Sequence, residues 1–237
     1  MLNRRDFMKA LGGAAAAIIA TPGEAALTIN QRYVNRALGV TFCRPRDWQW
    51  AELTTIGQAA ANQIYESDTQ ALVEMIRKIQ GPMVTCSRGP LTDDPTSIAP
   101  SLYMMVPDMD VVFPDNRRLR NLLGSEFTIE YDLEEQALAD LKNSSALVPQ
   151  FEVVASPALR DTNGVSAVET TFSYHMNTPI GSTLGPIRSR NMFMQQDMNL
   201  YVFRAVDAPS LGLDESVALE ESLNTIQLLK RQDSATD

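Results

Sequence analysis

His175 is the single histidine of the chain, so any histidine-based hydrolytic relay must be built on it. An imidazole works as a general base when a carboxylate orients it and a nucleophile lies beside it. Read as a strand, the alternation places Glu169 and Ser173 on the face of His175. No nucleophile-elbow sequence accompanies them, and a plain strand histidine is the better reading. Asp108, Asp110 and Asp115 come nearest to a calcium loop, but they lack its glycine turn and its bidentate glutamate. A solvated loop is preferred there. One histidine and two distant cysteines make a poor tetrahedral set for zinc. No metal site and no cofactor follow from these residues.

The thioethers fall into two groups, Met192 and Met194 with Met198, and Met104 and Met105 with Met109. Soft sulfur suits monovalent copper, but filling gaps in an apolar core is the commoner use of methionine. Arg117, Arg118 and Arg120 form a basic spot, and Arg188 and Arg190 share one strand face. Either group could clamp an anion or a partner; solvated arginines are the plainer reading. Cys43 and Cys86 are the only cysteines. In an oxidising compartment an even count favours a bridge. Two separate buried thiols are the alternative.

That compartment is suggested by residues 1–25. Asn3-Arg4-Arg5-Asp6-Phe7-Met8-Lys9 precedes a small, weakly apolar run and then Gly23-Glu24-Ala25. The arginine pair, the spacing of Phe7 and the following Lys9 resemble a twin-arginine export signal. The apolar run is too short to anchor in a bilayer, and no later stretch is apolar enough to cross one. Residues 26–237 are then one mature, periplasmic domain, with a disordered polar tail at 232–237. The whole chain has a net charge of −9, with 29 acidic against 20 basic residues. This balance argues against nucleic acid and anionic lipid as main partners.

The elements that position these residues are legible as pattern. Residues 151–155 read as a short strand stopped by Pro157. Asp161-Thr-Asn-Gly164 supplies turn chemistry, and 165–176 alternates with period two, as a half-buried strand does. Residues 188–196 and 200–205 read as a hairpin about Asp197-Met-Asn199. Asp214 then offers an N-cap to a helix carrying Leu219, Leu223 and Ile226 on one face. Earlier, Ser67-x-x-Gln70 and Asp132-x-x-Glu135 have the spacing of capping boxes. The first opens a helix over 67–79, after a less regular one at 56–65. The second opens a helix with Leu133, Ala137, Leu138 and Leu141 on one side. Residues 83–88 and 101–106 read as strands and candidate hairpin partners.

Tyr33-Val-Asn35, Gly39-Val-Thr-Phe42, then Pro45 and Trp48 resemble the opening of the PsbP-like family, the Ran-binding import factor/PsbP type of fold. Asn163-Gly164 with its long strand, and the last hairpin and helix, continue the resemblance; residues 109–131 have no counterpart in it. The resemblance implies an α+β fold, an α/β/α sandwich with a curled, mainly antiparallel sheet and flanking helices. It also implies a role in binding other proteins. The favoured function is an exported, soluble binding or accessory protein without catalysis of its own, its partner another protein of the cell envelope. The rivals are a periplasmic hydrolase with a site of scattered residues, and a carrier of a small apolar ligand or copper.

Overall fold

A computed structural model describes residues 26–36, 38–50, 83–89, 98–107, 130–146, 148–177, 183–197 and 199–229. The elements in order are β1 (Ala26–Ile29), β2 (Arg32–Asn35), β3 (Val40–Cys43), β4 (Gln49–Trp50), β5 (Met83–Ser87), β6 (Ser101–Met105), α1 (Leu133–Ser145), β7 (Glu152–Thr162), β8 (Val165–Asn177), β9 (Thr183–Gln196), β10 (Asn199–Asp207), α2 (Ser216–Leu223) and β11 (Gln227–Leu228). Two sheets result. The small one has the order β1-β2-β3-β11 and the large one β4-β5-β6-β10-β9-β8-β7, with antiparallel pairing throughout.

Both faces of the large sheet are covered. Met104, Ala167, Met192, Met194 and Phe203 pack on one side with Tyr33, Val40 and Phe42 of the small sheet. Leu219, Leu223 and Ile226 from the α2 region close the same core. Val168, Phe193, Leu200 and Val202 face the other way and pack with Ala137 of α1. In β8 and β9 neighbouring residues therefore alternate between two cores, as period-two geometry requires.

The expected α/β/α sandwich with a curled sheet is overturned. The fold is α+β and dominated by antiparallel sheets, with two α-helices among the described residues, and neither sheet curls or closes. The physical reason lies in what covers the second face. The side opposite α1 needs an apolar cover, and β2 and β3 supply it with Tyr33, Val40 and Phe42, so a β layer joins α2 where a helical layer was expected. The helices expected at 56–65 and 67–79 lie outside the described residues. So do the export motif with Arg4, Arg5, Phe7 and Lys9, the acids Asp108, Asp110 and Asp115, the arginines Arg117, Arg118 and Arg120, Met109, Met198 and the tail 232–237.

Two local expectations also need correcting. Pro157 does not end its strand: β7 runs on to Thr162 with register shifts between Val153, Ala155 and Ala158. As the edge of the large sheet, β7 can carry a residue with no N–H to donate. Leu138 is half exposed, so the buried stripe of α1 is Ala137, Leu141 and Ser144. The cap itself is as expected, with Asp132 Oδ1 accepting from the Glu135 N–H at 3.0 Å. The Asn163-Gly164 turn is also present, with both residues at positive φ. Asn163 further donates to the carbonyls of Asn224 (3.0 Å) and Ile226 (2.6 Å), fastening the β7–β8 hairpin to the chain after α2.

Candidate functional site

At the β7 end of the large sheet, residues directly opposite one another form a row. Glu152 pairs with Ser173, Ser173 with Arg188, and Arg188 with Asp207. Because cross-strand partners share a face, these four side chains lie on the α2 side. An open cavity of about 370 Å³ sits over the row, lined by Gln150, Glu152, Val154, Ser173, His175, Pro186, Arg188, Pro209 and Ser210.

His175 is positioned by its backbone and by a glycine. Its N–H donates to the Pro149 carbonyl at 3.0 Å. Gly185 has φ 139°, and a Cβ there would stand 2.9 Å from His175 Cδ2 and 3.0 Å from the Tyr174 carbonyl oxygen. That distance is too short for any side chain, so the glycine is required against the ring. His175 Nδ1 is buried and has no hydrogen-bond partner. In a hydrolytic relay this nitrogen would donate to a carboxylate. Glu169, the carboxylate expected on its face, is instead paired with Arg160 and Arg190.

The arginines expected to clamp an anion are already engaged. Arg188 Nε donates to Asp207 Oδ1 at 2.8 Å, and its Nη2 reaches Asp207 Oδ2 and Asp214 Oδ1, the latter at 2.9 Å. Its hydrogen bonds to Asp207, outweighing the opposing effect of burial, with help from Asp214, raise the guanidinium above its ordinary value. Arg190 pairs with Glu169 at 3.2 Å and also with Glu220. The two arginines do share one face, as expected, and each is held by carboxylates. Asp207 and Glu220 were missed by sequence reading. Asp207 had a signal: folding the chain about the hairpin loop, with Gln196 opposite Asn199, sets Arg188 opposite Asp207. Glu220 had none, since its contact depends on how α2 docks.

The thioethers of Met104, Met192 and Met194 are fully buried in the larger core. Met192 Sδ accepts a long contact from Thr162 Oγ1 at 3.8 Å. These methionines fill a core, as the commoner reading had it. Cys43 and Cys86 are free thiols on different sheets. Burial pushes the Cys86 thiol up to about 12, against smaller opposing effects of Arg44 and a backbone hydrogen bond from Leu102. Among the described residues no group of three or more His, Cys, Asp or Glu could hold a metal ion, and no helix is long and apolar enough to cross a membrane.

With this geometry in view, comparison with known proteins yields only distant, partial structural alignments. No family profile matches the chain, and no curated protein matches it as a relative. Among solved structures, cyanobacterial PsbP (CyanoP) from Synechocystis sp. PCC 6803 aligns with a TM-score of 0.42 at 13% identity, over 89% of this chain and 97% of that one. LpqN of Mycobacterium tuberculosis, described as involved in cell envelope biogenesis, aligns with a TM-score of 0.42 at 12% identity, over 80% and 83%. The protein of unknown function PA94 from Pseudomonas aeruginosa aligns with a TM-score of 0.35 at 11% identity, over 55% and 71%. The resemblance to PsbP-type folds is distant and partial. Likeness at this level carries nothing about activity.

Proposed function

We propose that this chain is an exported binding or accessory protein that performs no chemistry of its own and acts on another protein of the cell envelope. The observation that carries the non-catalytic part is the orphaned Nδ1 of His175. Among the described residues no carboxylate is hydrogen-bonded to that nitrogen, and Glu169, the carboxylate expected to orient the ring, is committed to Arg160 and Arg190. Export rests on the run Asn3-Arg4-Arg5-Asp6-Phe7-Met8-Lys9, whose arginine pair the twin-arginine route reads as an address rather than as charge.

Complementation tests the first part. His175→Ala, secreted normally and with an unchanged melting temperature, rescues a strain lacking the protein as well as wild type does. Loss of rescue under those conditions would restore the hydrolase reading. Fractionation of an Arg4→Lys/Arg5→Lys variant tests the second: the protein stays in the cytoplasm, and undiminished periplasmic protein would remove the export claim.

A further inference from the structure

The cavity beside His175 has a charge balance that selects among small ligands. Among the described residues that line it, Arg188 is the one arginine or lysine, and its guanidinium is shared between Asp207 and Asp214. Asp214 remains ionised far below neutral pH, its carboxyl held at about 2 by hydrogen bonds from Ser216 and then by Arg188. Glu152, two strands away in the same row, is exposed and has no protein partner among the described residues. Two carboxylates thus hold the one guanidinium, and Glu152 adds an unpaired carboxylate to the lining, on a chain that is already acidic. A ligand carboxylate entering here would meet a negative field and an arginine already occupied.

The rest of the lining suits the opposite charge. Val154, Pro186 and Pro209 form apolar walls, while Ser173 and Ser210 present hydroxyl oxygens. Ser210 donates its proton to the Pro186 carbonyl at 3.3 Å, which leaves its oxygen free to accept. The volume of about 370 Å³ falls at the lower end of the roughly 300–1,000 Å³ usual for small-molecule sites. We infer that this cavity is a site for a small organic ammonium ion, its N–H groups donating to Glu152 and the serine hydroxyls and its apolar body resting on Val154, Pro186 and Pro209. This site stands or falls independently of the protein partner proposed above.

The test is an NMR titration of the full mature chain with n-butylammonium, 1-butanol and butyrate, three probes of one size that differ in charge. n-Butylammonium gives saturable shifts at the Ser173, His175 and Ser210 amides and binds at least tenfold more tightly than either of the others. Glu152→Gln weakens it at least fivefold, while Glu134→Gln, on the exposed side of α1, does not. Val154→Trp fills the cavity from its open edge and abolishes the shifts, which covers the case of a Glu152 variant that folds poorly. Equal or tighter binding of butyrate or 1-butanol, an unchanged affinity in Glu152→Gln, or no saturable binding of n-butylammonium overturns the inference.

Discussion

Arg160, on the edge strand β7, donates through Nη2 to Glu220 Oε1 on α2 at 2.7 Å, joining two elements sixty residues apart. The same guanidinium bonds Glu169 of β8 and Asn224 just beyond α2, and Arg190 of β9 completes the set by pairing with Glu169 and Glu220. A helix too short to be stable alone is thereby tied to two strands directly, and through their arginines to β8, by charge-assisted bonds, while Leu219 and Leu223 bury its apolar side.

Arg160→Ala should therefore loosen α2 before the rest of the domain. Hydrogen bonds to charged groups contribute about 1.5–3 kcal/mol. Glu220 is two-fifths exposed, and solvent screening brings the expected loss down to about 1–2 kcal/mol. Urea unfolding of Arg160→Ala, Glu220→Gln and the double variant gives a coupling energy of about 0.5 kcal/mol or more for residues in one network. Strict additivity would mean that the pair is ornamental.

The acid limb of stability has a definite sign. Burial alone would raise the Glu220 carboxyl, but the Arg160 hydrogen bond, with the charges of Arg160 and Arg190, outweighs it and holds the group below its ordinary value. Asp214 is held at about 2. Depressed carboxyls contribute stability that is complete above their unfolded values, roughly 4, and that is lost as pH falls through their folded values. The melting temperature should therefore fall between pH 4 and pH 2, in advance of any change near neutrality that these two groups could cause. Carboxyl carbon NMR should place the Asp214 midpoint near 2, and Arg188→Gln should move it upward. An unmoved midpoint would assign the whole shift to Ser216.

Thiol chemistry should separate the two cysteines. Native protein at pH 8 should leave Cys86 unmodified by iodoacetamide, since a thiol pushed up to about 12 and fully buried is neither ionised nor reachable. Unfolding untreated protein without reductant should expose two titratable thiols. Finding none would mean that Cys43 and Cys86 become bridged.

The buried methionines should behave as packing. Met192→Leu conserves volume and is expected to cost less than about 1.5 kcal/mol, whereas Met192→Ala should cost about 2–5 kcal/mol by leaving a cavity. Under reducing, anaerobic conditions the purified protein should leave equimolar monovalent copper with a chromogenic chelator. Stoichiometric capture, lost in Met192→Leu/Met194→Leu, would return copper binding to the discussion.

What the sequence determined by itself was local. Asn163-Gly164 needs only its own tolerance of positive φ to make a turn, and Asp132 needs only Glu135, three residues on, to make a cap. Period-two alternation through residues 165–176 and the loop at Asp197 likewise announced β8, β9 and β10 with boundaries within a few residues, β9 apart. The motifs Tyr33-Val-Asn35 and Gly39-Val-Thr-Phe42 marked the opening of the domain, but not that this segment forms a separate sheet which covers the α2 side of the large one. That choice depends on which apolar surfaces meet, and many arrangements bury Val40 and Phe42 equally well. Pro157 was misread for a related reason: a proline ends a central strand but is tolerated at an edge, and edge position is a property of the whole sheet. The candidate site was the least legible. Glu152, His175, Arg188 and Ser210 come from four separate segments, and the pairing of Arg160 with Glu220 appears only when α2 docks. Only the tertiary structure decides which charges neutralise one another, because Coulomb attraction acts over a few ångströms of space and takes no account of distance along the chain.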